Sequence, residues 1–227
     1  MSNSSDRFED LWPQLCELAG RPFGDLLPQA TLQSMHLNKG GAGLAIESLL
    51  GIPAGSRLTD YVDGELKTYR ADRDGFPMET VAITQIGSDV DRYLDMPRFV
   101  DTPLHEKVRH TALLGVYRDS DDPADWQIAL AMELDASEGS YWFDRLERSY
   151  NDLLAQLLEW LREPAPFHTM NAQWLQIRVR DSKPYTPLVS ERLGRELWNK
   201  KLGFYFQRQF VRALVEESFA SGELPHI

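Results

Sequence analysis

The 227-residue chain has a single cysteine, Cys16, which excludes an internal disulfide and any multi-cysteine zinc site. It has no apolar run approaching the roughly 20 residues that a membrane span needs. Its first residues, MSNSSDRFED, are polar and acidic, unlike a secretory leader. These absences lead us to expect a protein of a reducing, cytoplasmic compartment with no membrane partner. Positive charge is scarce: 24 Lys and Arg stand against 35 Asp and Glu, a net charge of −11. Taken over the whole surface, that balance opposes nucleic acid, whose phosphates need lysine and arginine. Nucleotide-loop patterns are missing too, because GGAG at 40–43 is short and no Lys-Ser/Thr follows it. The five histidines (His36, His105, His110, His168, His226) include no pair at metal-binding spacing, and His105 and His110 read more simply as partly buried structural residues.

Hydrophobic residues make up 42% of the chain, enough for a real core in one large domain or two tight lobes. The charge is uneven. Between Asn171 and Arg212 nine Lys and Arg face three acids, a local +6, whereas Asp119 to Glu163 carries twelve acids and three arginines, a local −9. A binding footprint follows the local field, so one basic face stays open as a possibility beside two ordinary solvated surfaces. Helical spacing predicts helices at DRFEDLWPQLCELAG (Phe8, Leu11, Leu15, Leu18), at NKGGAGLAIESLLG and over 141–163, the last with Trp142, Leu146, Leu153, Leu154, Leu157 and Leu161 inward. Strands are expected at Leu58–Val62, Glu65–Arg70, METVAITQI, TALLGVYR, DWQIALAMELD and QWLQIRVR, and a closing helix at GFYFQRQFVRALVEESFAS. The pattern is α/β: a central mixed sheet of about five or six strands flanked by helices.

TDYVDGELKTYR, residues 59–70, holds the densest chemistry. Asp63-Gly64 reads as a two-residue hairpin turn, which sets Asp60 opposite Lys67 and Tyr61 opposite Leu66. Alternation then gathers Asp60, Glu65 and Lys67 on one face and sends Tyr61 and Leu66 to the other. Two carboxylates about 4 Å apart repel by on the order of 4 kcal/mol at an effective dielectric near 20. A divalent cation relieves that repulsion, and Mg²⁺ prefers carboxylate oxygens. A neighbouring lysine can orient or deprotonate an attacking water. On this segment alone the simpler account is an exposed hairpin with an Asp60–Lys67 ion pair worth under about 1 kcal/mol.

An acid followed closely by Glu-x-Lys is the bare signature of the PD-(D/E)xK nucleases. The surrounding patches, in order, make the chain resemble their MutH-like branch, the mismatch-repair and GATC-cutting restriction endonucleases. LCELAGRPFGDL, NKGGAGLAIESLLG, GELKT, GFPMET, VRH, WLQIRVR and GFYFQRQFVRAL carry the resemblance over nearly the whole chain. It implies a restriction-endonuclease-like core in one domain, 1–227, with a catalytic lobe mainly in 1–165, a DNA-reading lobe mainly in 166–227 and a cleft for duplex DNA between them. It implies a monomeric, Mg²⁺-dependent endonuclease that also accepts Mn²⁺ and cuts at a GATC-like site. Asp60 and Glu65 would be metal ligands with the Leu66 carbonyl as a third, Lys67 the catalytic lysine, and Glu47 a helper for a water or second metal. Lys39 would touch DNA near the scissile phosphate. Arg178, Val179 and Arg180 occupy the base-reading segment, and Tyr205 matches a tyrosine linked to sensing adenine methylation.

Three departures stand out. The gap from Asp60 to Glu65 is shorter than the family's, which leaves Asp63 as a competing first acid. Leu113 stands where the family carries a lysine near the active site. Val179 replaces a proline in the base-reading segment. Two roles remain open, a repair nickase activated by a mismatch-sensing partner protein and a restriction enzyme. A DNA-binding or scaffold protein that has lost catalysis is the alternative from another class.

Overall fold

The computed structural model describes residues 7–35, 40–52, 59–61, 63–87, 90–163, 165–180 and 185–221. In chain order they form α1 (Phe8–Leu18), α2 (Phe23–Leu26), α3 (Gln29–Met35), α4 (Gly41–Leu49), β1 (Glu65–Ala71), β2 (Val81–Ile86), α5 (Val90–Tyr93), α6 (Pro103–Val108), β3 (His110–Tyr117) and β4 (Gln127–Asp135). There follow α7 (Tyr141–Arg162), β5 (Met170–Asn171), β6 (Leu175–Val179), β7 (Leu188–Ser190), β8 (Arg195–Trp198), β9 (Leu202–Phe206) and α8 (Arg208–Ser221). The architecture is mixed α/β. In place of one central sheet of five or six strands, the described strands form three sheets, ordered β1-β3-β4, β2-β9-β6-β5 and β7-β8. Alternation marks a segment as a strand but does not name its neighbour, and β2 leaves β1 to pair with β9 near the other end of the chain. No described helix is long and apolar enough to cross a membrane.

Two compact units divide the chain, each discontinuous in sequence: Met1–Val81 with His110–Leu134 and Val211–Ile227, and Ala82–Arg109 with Asp135–Phe210. In the first, β1 and β3 run parallel, with Glu65 opposite Thr111 and Lys67 opposite Leu113. Thr111 to Val116 are all buried, as expected for a central strand covered on both faces. Leu66, Ala112, Leu114 and Val116 face a core built from α1–α4, including the expected α1 stripe of Phe8, Leu11, Leu15 and Leu18. Gly40, at φ 90°, takes the left-handed turn that opens α4.

In the second unit β6 and β9 pair antiparallel, Ile177 opposite Phe204 and Leu175 opposite Phe206. The long helix α7 packs there through Tyr150, whose ring lies 6.4 Å from that of Phe204. Ser140 caps it by accepting from the Phe143 amide at 3.2 Å, and the six residues expected on its inner stripe are buried. GFYF is not the start of the closing helix. Leu202, Phe204 and Phe206 are buried at period two, so this stretch is β9, and helix resumes only at Arg208. His105 is a structural residue as expected, 6% exposed, its Nε2 3.1 Å from the Ala136 carbonyl and its ring edge-on to Phe99 and Phe143.

Candidate functional site

The segment before β1 is not the strand of a hairpin. Residues 59–61 and 63 are bends, Leu58 and Val62 lie outside the described residues, and β1 takes its partner from β3 instead. A parallel neighbour that completes a buried core outweighs a local two-residue turn. The Tyr61 amide still donates to the Gly64 carbonyl at 2.8 Å, so the chain does reverse there. The reversal brings Asp60 beside β1, with two consequences. The Leu66 amide donates to Asp60 Oδ2 at 2.9 Å, and the Asp60 amide donates to Glu65 Oε2 at 3.2 Å. β1 is the edge of its sheet, and Asp60 satisfies a backbone donor that the edge leaves open. A strand residue's N–H and C=O project to the same side, so the Leu66 carbonyl points toward that free edge as well.

Glu65 and Lys67 alternate onto one face of β1, and the Lys67 ammonium donates to Glu65 Oε1. The Glu65 side chain is 1% exposed and that of Lys67 22% exposed. Burying a carboxylate is costly without such partners. Glu47 approaches from α4, which meets β1 at Gly43. A Cβ on Gly43 would stand 3.5 Å from Thr68 Oγ1 and 3.9 Å from Glu47 Oε1. Burial pushes the Glu47 carboxyl above its usual range; the charges of Asp60 and Glu65 push it further, and Lys67 opposes them. Glu47, Asp60, Glu65 and Lys67 therefore share one electrostatic neighbourhood.

The donor chemistry of this group, three carboxylates and a backbone carbonyl, suits a hard divalent cation such as Mg²⁺. The side chains as they stand do not form a closed cage: among the described residues, no three His, Cys, Asp or Glu are placed to hold one ion. Glu65 spends one oxygen on Lys67 and the other on the Asp60 amide.

Two features of this group went unanticipated in the sequence. Asp63, the competing first acid, serves α1: its Oδ1 accepts from the Phe8 amide at 2.8 Å and its Oδ2 from Arg7 Nε at 3.4 Å. A contact with a helix 55 residues away in sequence leaves no local signal. Tyr61 is 1% exposed, and its hydroxyl is buried with no hydrogen-bond partner among the described residues. Burial raises that phenol's pKa first, and Asp60, Glu47 and Glu65 raise it further. Leu113, fully buried, lies opposite Lys67 and gives the lysine an apolar neighbour.

The expected DNA-reading residues lie in the second unit, apart from Lys39, which is outside the described residues. Arg178 is exposed on β6, and its guanidinium sits 5.1 Å over the ring of Tyr205 on β9. Alternation puts Gln176, Arg178 and Arg180 on the face of Tyr205, and Val179 on the opposite face, across from Leu202. Val179 thus points away from Arg178, Arg180 and Tyr205. The Gln176 amide nitrogen on the same face is buried with no partner among the described residues. The +6 count also overstates the available field. Arg192 pairs with Asp95 at 2.6 Å, Arg195 donates to the Leu161 and Arg162 carbonyls at 3.2 and 3.3 Å, and Arg212 of the first unit lies 5.0 Å over Phe76. Trp174 packs edge-on to Trp142 and Phe210.

No protein-family model matches the chain, and no curated protein matches it.

Proposed function

We propose that the chain is a Mg²⁺-dependent endonuclease that hydrolyses phosphodiester bonds of double-stranded DNA and leaves a 5′-phosphate, with Mn²⁺ able to substitute. The supporting observation is the grouping of Glu47, Asp60, Glu65 and Lys67 at the free edge of β1, with a buried Glu65 bonded to Lys67. Asp60, Glu65, the Leu66 carbonyl and Glu47 would hold the ion. When bound, the ion supplies positive charge for the phosphate and the leaving 3′ oxygen, and it lowers the pKa of water. Lys67, next to Glu65, donates to the attacking water and fixes its direction. Glu47 accepts a hydrogen bond from the same water, and its raised proton affinity suits it to that task. Asp60 braces β1 through the Leu66 amide and so fixes where Lys67 emerges. Arg178 and Arg180 would read base edges in the major groove, and Tyr205 would contact the same site. A GATC-like sequence is the first candidate for that site. The resemblance to MutH-like endonucleases supports both halves of the reading.

A plasmid assay with Mg²⁺ or Mn²⁺ tests this. Wild type should cut, and folded Glu65→Ala and Lys67→Ala variants should lose at least about 100-fold in rate. Nicked circles appearing only with a mismatch-sensing partner favour the repair role, and partner-free linear product favours restriction. The burial of Leu113 against Lys67 favours a second reading, a DNA-binding protein without catalysis. Salt-sensitive duplex binding with no cutting by wild type would select that one.

A further inference from the structure

Arg178 on β6 and Arg180 just beyond it each have a seat on β9, and the two seats differ. Gly203 lies opposite Arg178 and Tyr205 opposite Gln176, so Gly203 and Tyr205 share the face of Arg178 and Arg180. The Arg180 amide donates to the Lys201 carbonyl at 2.8 Å, which carries the β6–β9 ladder one residue past Val179. A Cβ built on Gly203 would stand 3.1 Å from Arg180 Cδ and 3.2 Å from its Cγ. It would also stand 3.0 Å from the backbone oxygen of Thr84 on β2, the strand hydrogen-bonded to β9. The Arg180 stem therefore lies flat on bare backbone. A Cβ at 203 is tight on both sides, against the Thr84 backbone oxygen and against the Arg180 stem, so a neighbour must give by a few tenths of an ångström, and the arginine side chain yields more readily than strand backbone. Arg178 is held differently, by the Tyr205 ring.

We propose that Gly203 is a specificity-determining position that acts through Arg180: it is the notch that aims this guanidinium at duplex DNA, as the ring of Tyr205 aims Arg178. The inference rests on the DNA reading above and deepens it. Holding a long side chain in place before DNA arrives removes an ordering cost from binding. It also fixes which base edge the fork can meet, since bidentate contact with guanine O6 and N7 needs a set direction. Gly203 is a positioning residue and touches no base itself.

Two readouts test it. The first needs no DNA: ¹⁵N relaxation of the arginine Nε–H groups in the full chain. Arg180 Nε should be ordered in wild type and mobile in Gly203→Ala, while Arg178 Nε is unchanged. The second is selection from a randomised duplex library by wild type, Gly203→Ala, Arg180→Ala and the double variant. Gly203→Ala should lose roughly tenfold in discrimination at the base pair where Arg180→Ala loses it. It should add nothing in the Arg180→Ala background, and the salt slope should stay as in wild type because no charge is removed. Equal losses from Gly203→Ala with and without Arg180 would make the residue merely structural and overturn the inference. A mobile Arg180 Nε in wild type would overturn it as well, and that result needs no folded variant. Wild type that binds no duplex while Gly203→Ala still frees Arg180 would sink the DNA role and keep the seat.

Discussion

Glu47 carries the clearest electrostatic signature in the acidic group. Its folded pKa is raised, by burial first and then by Asp60 and Glu65. Such a group favours the folded state below the unfolded carboxyl pKa of about 4.3, and that contribution is lost as pH rises through the raised folded value. Ionising Glu47 therefore works against the fold unless a cation is present. Glu47→Gln should raise the melting temperature of the metal-free protein near pH 7, with the difference fading as pH falls toward 4. Glu47 is half-exposed, so solvent keeps the effect small, on the order of 2 °C. A variant that melts below wild type at pH 7 without divalent ions would contradict this. Glu65 differs because it is buried and bonded to Lys67. Removing Lys67 alone leaves that charge uncompensated, a loss of about 3–5 kcal/mol by urea unfolding. A loss under about 1 kcal/mol would mean that the pair is not buried in solution.

At the scale of elements, the edge strand β1 organises the acidic group, and it was only partly legible in the sequence. Period two found the strand and put Glu65 and Lys67 on one face and Leu66 on the other, although burial alone does not separate the faces, since Glu65 is as buried as Leu66. The Asp-Gly turn suggested a hairpin partner that the fold replaces with β3, because turn chemistry is local and a parallel neighbour is not. GFYF looked helical only because helix follows it; its run of β-favouring aromatics, Phe204 to Phe206, was the overlooked sign. The choice between Asp60 and Asp63 follows from what each one bonds. Asp63→Ala loses the Phe8 amide bond at the start of α1 and should cost about 0.5–2 kcal/mol in urea unfolding while cutting persists. Asp60→Ala should abolish cutting. Reversed outcomes would make Asp63 the functional acid.

At the scale of the whole chain, composition favoured a protein that avoids nucleic acid, and the local charge count pointed the other way. Side-chain bonding explains why both were incomplete. Arg192 pairs with Asp95 and Arg195 donates to the carbonyls that end α7, whereas Arg178 and Arg180 lie on the sheet face with Tyr205. A count of charges cannot separate the two groups, since salt bridges and helix-end contacts depend on which elements meet. Sheet membership was hidden for a similar reason: the partners of β2 and β1 lie far away in sequence.

The central claim is that Asp60, Glu65 and Glu47 together take up a divalent cation. Mn²⁺ binding to the DNA-free protein, followed by electron paramagnetic resonance, tests it without relying on catalysis. Wild type should remove Mn²⁺ from solution saturably and Mg²⁺ should displace it, while Asp60→Asn and Glu65→Gln should each weaken uptake by at least about tenfold. Saturable uptake that both variants keep at wild-type strength, or none by wild type at millimolar Mn²⁺, would contradict the account.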